Sequence, residues 1–168
     1  KELKDSSNVE NTDGLSKLFN KKNIKIKGIT NGFDFERYNP SDTSFSKLPF
    51  AFNPETGDLD GKYKIRQFFI DNVINSENFP CDGIKKYGSL SINKGGRERY
   101  IAYHGRITSQ KGISILTEAV PTIIKQNDSV RFVIAGQGEP RLENEIEELT
   151  KVFPGKIVYL HGYNQAVV

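Results

Sequence analysis

The chain has 168 residues, enough for a sizeable core, and its 24 basic and 21 acidic side chains leave a net charge of +3 in a mixed pattern. That pattern argues against a nucleic-acid binder built on a cationic stripe, and no apolar run approaches the roughly 20 residues of a membrane span. A single cysteine, Cys81, leaves no intramolecular disulfide framework and no multi-cysteine zinc site, and with a polar N-terminus unlike a signal peptide it suits a soluble, cytoplasmic protein.

Residues 1–11 are polar and charged and read as a lead-in with little to bury. Asp13 is placed to cap a short helix through Phe19, with Leu15, Leu18 and Phe19 on one face. Ile24, Ile26 and Ile29 roughly alternate with Lys25 and Lys27, which predicts a short half-buried strand, and Gly32 would give it a sharp exit through positive φ. From residue 38 to about 99 the chain is punctuated by Asn39-Pro40, Leu48-Pro49, Asn53-Pro54, Thr56-Gly57, Phe79-Pro80 and Gly95-Gly96, and reads as a connector with local structure. Within it, residues 59–74 have the spacing of one amphipathic helix, with Asp58 or Asp60 as its cap, and residues 88–97 form the best linker candidate.

Beyond the connector the periodicities sharpen. Residues 100–104 predict a strand, and Ile113, Leu116, Ala119, Val120, Ile123 and Ile124 predict a helix that Pro121 should kink or break. A buried strand follows at 131–135, then a helix with Pro140 in its first turn and a stripe of Leu142, Ile146, Leu149 and Phe153. Pro154-Gly155 ends it, and residues 157–160 predict a further strand before His161-Gly162-Tyr163. Strand, helix, strand, helix, strand with short loops implies an α/β fold with a parallel sheet. A doubly wound nucleotide domain usually needs about six strands, so half of the domain is expected to lie outside these residues. The absence of any methionine likewise suggests a piece of a longer product.

The turn Gly105-Arg106-Ile107-Thr108-Ser109-Gln110-Lys111-Gly112 carries two cations at a helix entrance, where an anion is favoured and two phosphates of one ligand could be gripped. Isolated surface cations are more often solvated than functional, but ligands of open α/β sheets bind beyond the carboxyl ends of strands. This turn, the Gly136-Gln137-Gly138 turn and the Gly162-Tyr163 turn should all converge at that edge. Arg141 and Lys156 stand where a dinucleotide fingerprint needs a glycine and an acid, so a nicotinamide cofactor is not indicated. Gly136 and Gly138 can admit a ligand near the backbone, and a plain tight turn explains them equally well. His104 and His161 lack metal-site spacing and receive no role, no metal or other cofactor is implied, and Glu143, Glu145, Glu147 and Glu148 read as a solvated helix face.

Taken in order, Asn31-Gly32-Phe33-Asp34, Tyr38-Asn39-Pro40, Asp58-Leu59-Asp60-Gly61-Lys62, the Gly105–Gly112 turn, Gly136-Gln137-Gly138-Glu139 and Gly162-Tyr163 resemble the bacterial glycogen and starch synthases. The resemblance implies part of a two-domain, Rossmann-like glycosyltransferase of GT-B architecture, with its parallel sheet half present. Residues 1–38 would end the N-terminal acceptor-side domain, 39–98 form the interdomain connection, and 99–168 begin the nucleotide-sugar-binding domain. The implied reaction is retaining transfer of glucose from ADP-glucose to an α-1,4-glucan acceptor. Arg106 and Lys111 would hold the donor diphosphate and stabilise departing ADP, Asn31 would face the glucose, and Tyr163 would lie against the base. The family's lysine- and glycine-rich N-terminal motif and its later acidic segment do not occur here, so the chain is expected to be inactive without the remaining half of its fold. A noncatalytic sugar-nucleotide or glucan-binding module, and another retaining glycosyltransferase, are the alternatives.

Overall fold

Val130, Phe132 and Ile134 alternate with Arg131, Val133 and Ala135, and both sets are largely buried, as a strand covered on two faces requires. That strand lies inside the sheet of a computed structural model, which describes residues 12–25, 27–76, 82–91 and 98–163. Two compact units divide the chain, Lys1–Tyr38 and Asn39–Val168.

The first unit contains α1 (Leu15–Lys21), whose N-cap is Gly14 in a left-handed conformation. Asp13, expected to cap it, has a φ of 48° and makes no capping bond; instead Thr12 Oγ1 accepts the Ser16 N–H at 3.4 Å. The strand expected over 24–29 is absent among the described residues, and Ile29 is 89 % exposed. A strand needs a neighbour for its backbone groups, and no described segment pairs with this one. Ile26 lies outside the described residues, and Gly32 has no positive φ. Phe33 stacks on Tyr38 and meets Phe35 edge-on, all three exposed.

In the second unit, α2 (Thr43–Ser46) is capped by the Asp42 side chain, and α3 (Asp60–Phe69) continues into one π-helical turn, Ile70–Ile74. The N-cap of α3 is Leu59, so neither aspartate caps it, although Asp58 Oδ1 accepts the Asp60 N–H. A short strand, β1 (Lys85–Gly88), then precedes β2 (Arg99–His104), a 3-10 turn (Ser109–Lys111), α4 (Ile113–Gln126), β3 (Val130–Gly136), α5 (Pro140–Val152) and β4 (Ile157–His161). Pro121 does not break α4. Cys81, Phe79-Pro80, Gly95-Gly96 and most of the expected linker lie outside the described residues; of its described residues, Gly88 ends β1 and Leu90 is buried.

The sheet order is β1-β4-β3-β2. β2, β3 and β4 are parallel, as expected, while β1 runs antiparallel to β4 inside what reads as connector. The fold is thus α/β with a mostly parallel four-stranded sheet, consistent with part of a Rossmann-like domain. One face packs Phe132, Ile134, Ile157 and Tyr159 against Ile113, Val120 and Ile124 of α4 and Leu142 and Ile146 of α5. The opposite face packs Ala135, Val158 and Leu160 against Ile74, with Phe69 alongside. No helix among the described residues is long and apolar enough to cross a membrane.

Candidate functional site

Three turns leave the carboxyl ends of β2, β3 and β4, and backbone hydrogen bonds lock them together. Gly105 N–H donates to Ala135 O, Ile107 N–H to Gln137 O, and Glu139 N–H to Ile107 O at 2.8 Å. Gly162 N–H donates to Gly136 O at 3.2 Å, joining the third turn. The buried Ile107 side chain anchors the first turn in the core, while its neighbours Arg106 and Ser109 stay at the surface. A buried residue between exposed polar ones gives a fixed base with reachable tips.

The glycines explain how the turns come so close. A Cβ on Gly136 would stand 1.8 Å from Gly105 O, and one on Gly138 would stand 2.1 Å from Ile107 O. Gly136 also has a φ of 145°, which side-chain-bearing residues rarely adopt.

Arg106 and Lys111 are both exposed, on the same turn. Among the described residues no ion pair engages either cation. The Arg106 carbonyl accepts the Tyr103 hydroxyl at 2.7 Å, which holds the start of the turn against β2. Lys111 closes the 3-10 turn, and Gly112 in a left-handed conformation is the N-cap of α4. Several N–H groups of these turns are engaged within the protein: Lys111 N–H with Thr108 O and Gly112 N–H with Ser109 O, besides those above. An anion here would therefore rely on the Arg106 and Lys111 side chains more than on the backbone of the 3-10 turn. Thr108 Oγ1 is buried there without a hydrogen-bond partner.

Tyr163 follows Gly162 and is 72 % exposed. Asn31 is exposed in the other unit, within a stretch of irregular backbone. A separate surface cavity of about 470 Å³ is lined by Thr43, Phe50, Asp58, Asp60 and Lys64, none of which belongs to the three turns.

Two carboxylates at this edge, Glu139 and Glu143, make contacts that the sequence does not lead one to expect. Glu139 accepts the Ser109 N–H at 2.9 Å and the Ser109 hydroxyl at 3.0 Å, and these bonds hold its carboxyl below the usual range. Glu143, expected on a solvated face, instead accepts the Gly138 N–H at 2.6 Å and stands 3.3 Å from His161 Nε2. His161 lies edge-on to Tyr87 and Tyr159, and Tyr159 donates its hydroxyl to Gly136 O. Burial, then the Glu143 charge, pushes the Tyr159 hydroxyl far above its ordinary pKa, so it stays protonated. The acid at the first helical turn after a Gly-x-Gly was the available signal for Glu143, though its partner is 18 residues on in His161.

Residues 98–167 match the family model described as "Glycosyl transferases group 1". The chain resembles bacterial glycogen synthases. The "Glycogen synthase" of Thermodesulfovibrio yellowstonii is 27 % identical over 154 residues, covering 92 % of this chain and 26 % of that protein. That of Lacticaseibacillus casei is 29 % identical over 99 % of this chain and 29 % of its own length, and that of Mycoplasma mobile 24 % over 90 % and 27 %. The chain therefore spans about a quarter of the length of these curated relatives. The glycogen synthase likeness reaches well beyond the residues of the family match, into those before β2.

Proposed function

We propose that these residues form part of a glycosyltransferase that carries glucose from ADP-glucose to the non-reducing end of an α-1,4-glucan, in glycogen or starch synthesis. The observation that carries the reading is the pair of exposed cations, Arg106 and Lys111, on a turn that backbone hydrogen bonds hold rigidly at the carboxyl edge of the sheet. When the bond from the sugar C1 to the diphosphate breaks, negative charge grows on the departing ADP. Preorganised cations stabilise such charge without the cost of reorganising solvent. In this reading Arg106 and Lys111 are the catalytic pair and also grip the diphosphate, with the Gly136 and Gly138 turn beside it, Tyr163 against the base and Asn31 on the glucose side. Residues 39–98 connect an acceptor-side domain to a nucleotide-sugar-binding domain, in the GT-B arrangement.

The chain by itself, spanning about a quarter of its relatives' length, is expected to be inactive without the remaining half of its fold. Titration of ADP-glucose into the full-length gene product tests the grip. Arg106→Ala should weaken donor affinity by at least about tenfold, and Lys111→Ala should lower turnover more than affinity. Wild-type donor affinity in Arg106→Ala would remove the phosphate grip from the account.

A further inference from the structure

We propose that Glu139 is a positioning residue for the Arg106–Lys111 turn, acting through Ser109; this rests on the donor-site reading above. Ser109 opens the 3-10 turn that ends at Lys111, so where its backbone sits sets where the lysine begins. Both of its donors, N–H and hydroxyl, end on the two oxygens of one carboxylate, 2.9 Å to Oε1 and 3.0 Å to Oε2. Such a two-point contact fixes orientation as well as distance. Glu139 is itself immobilised: its N–H donates to Ile107 O, it is the N-cap of α5, and Pro140 follows in the first helical turn. The carboxylate thus connects α5 to a turn 30 residues earlier in the chain.

A carboxylate beside a cationic turn is an unusual choice if the turn serves only to attract anions, because its charge opposes the ligand's. The arrangement makes sense if geometry matters more than attraction. Glu139 gives up some donor affinity and gains a fixed Lys111. Removing it should therefore separate the two kinetic constants. Donor KM should change by less than about threefold, or fall, because a repelling charge is gone and the Ser109 N–H is released. Turnover should drop by at least about tenfold, because a misplaced cation no longer meets the charge that develops on the leaving diphosphate.

The test uses the full-length protein with ADP-glucose and a glucan primer, and compares Glu139→Ala, Glu139→Gln, Ser109→Ala, the Ser109→Ala/Glu139→Ala pair and Lys111→Ala. Positioning predicts a kcat loss in Glu139→Ala, partial rescue in Glu139→Gln, whose amide oxygen can still accept the Ser109 N–H, and a double variant no worse than the poorer single. If Lys111→Ala is impaired while Glu139→Ala keeps wild-type kcat, the positioning role is overturned and the donor site stands. If Lys111→Ala is fully active, the donor-site reading falls and this proposal with it. Additive losses in the double variant would also overturn it, since they would mean that the two side chains act separately. Far-ultraviolet circular dichroism and thermal unfolding identify a Glu139→Ala protein that fails to fold, in which case Glu139→Gln and Ser109→Ala decide the outcome by the same kcat-against-KM split.

Discussion

Gly136 and Gly138 are small because of what presses on them. The carbonyl oxygens of Gly105 and Ile107 occupy the space where their Cβ atoms would stand, so these positions exclude side chains before any ligand is considered. Gly138→Ala should cost about 3 kcal/mol or more, because its obstacle is backbone that cannot rotate away. Gly32→Ala, with open space around it, should stay within about 0.5 kcal/mol of wild type. Urea denaturation of both variants checks this, and equal midpoints would mean that the Gly136-Gln137-Gly138 turn does not press on the Ile107 carbonyl. Arg106, Lys111 and the glycine pair are legible in the sequence because they are local and their residue types announce their chemistry. The Ser109–Glu139 contact is not, since its partners are 30 residues apart and a glutamate before a proline looks like an ordinary helix start. Glu143 departs from the expected solvated face for a related reason: helical periodicity locates a polar face but says nothing of which neighbour that face meets.

The helices α4 and α5 and the strands β3 and β4 follow directly from apolar spacing, because each buries one stripe or two faces against the others, whereas β2 is exposed along most of its length and only Tyr100 and Tyr103 are partly buried against the two core clusters. The expected strand over 24–29 fails because alternation describes one strand, whereas stability needs a second to complete the hydrogen bonds. β1 has no signal in the sequence for the converse reason: four residues, Lys85-Lys86-Tyr87-Gly88, carry almost no pattern and owe their conformation to β4. At the other end of the sheet, the turns before β3 and before β4 are joined by Lys156, whose Nζ donates to Asp128 Oδ1 and to its carbonyl. The Lys156 ammonium holds the Asp128 carboxyl below its ordinary value of 3.8. A carboxyl depressed in the folded state stabilises fully above that ordinary value, and the contribution is lost as pH falls through the lower folded value. Asp128→Asn should therefore flatten the acid limb of stability against pH relative to wild type, with less difference in high salt. Parallel acid limbs in the two proteins would show that the contact does not persist in solution.

The whole sheet has unequal edges. β1 is four residues long and includes two lysines, features that discourage pairing with a further strand. β2 has six residues, and among the described residues only β3 pairs with it. Arg99 N–H donates to Ser129 O and Gly105 N–H to Ala135 O, so the odd-numbered residues of β2 face β3 and the N–H groups of Tyr100 and Ala102 face outward. Amide exchange followed by NMR in dilute chain should find Ala102 fast beside a protected Tyr103. Equal protection at both would mean that something already lies along β2. The covered faces were foreseeable only in part: α4 and α5 could be placed on the sheet from sequence, but the role of Ile74 on the opposite face could not, because nothing local in residues 60–74 names the surface they meet. One consequence of the antiparallel β1 concerns the direction in which this architecture can extend. By taking the free side of β4, residues Lys85–Gly88 occupy the position that a fourth parallel strand in sequence would have used. Among the described residues the longer open edge is therefore that of β2, the strand that runs into the turn carrying Arg106, so a further parallel strand joining this sheet there would lie beside that turn.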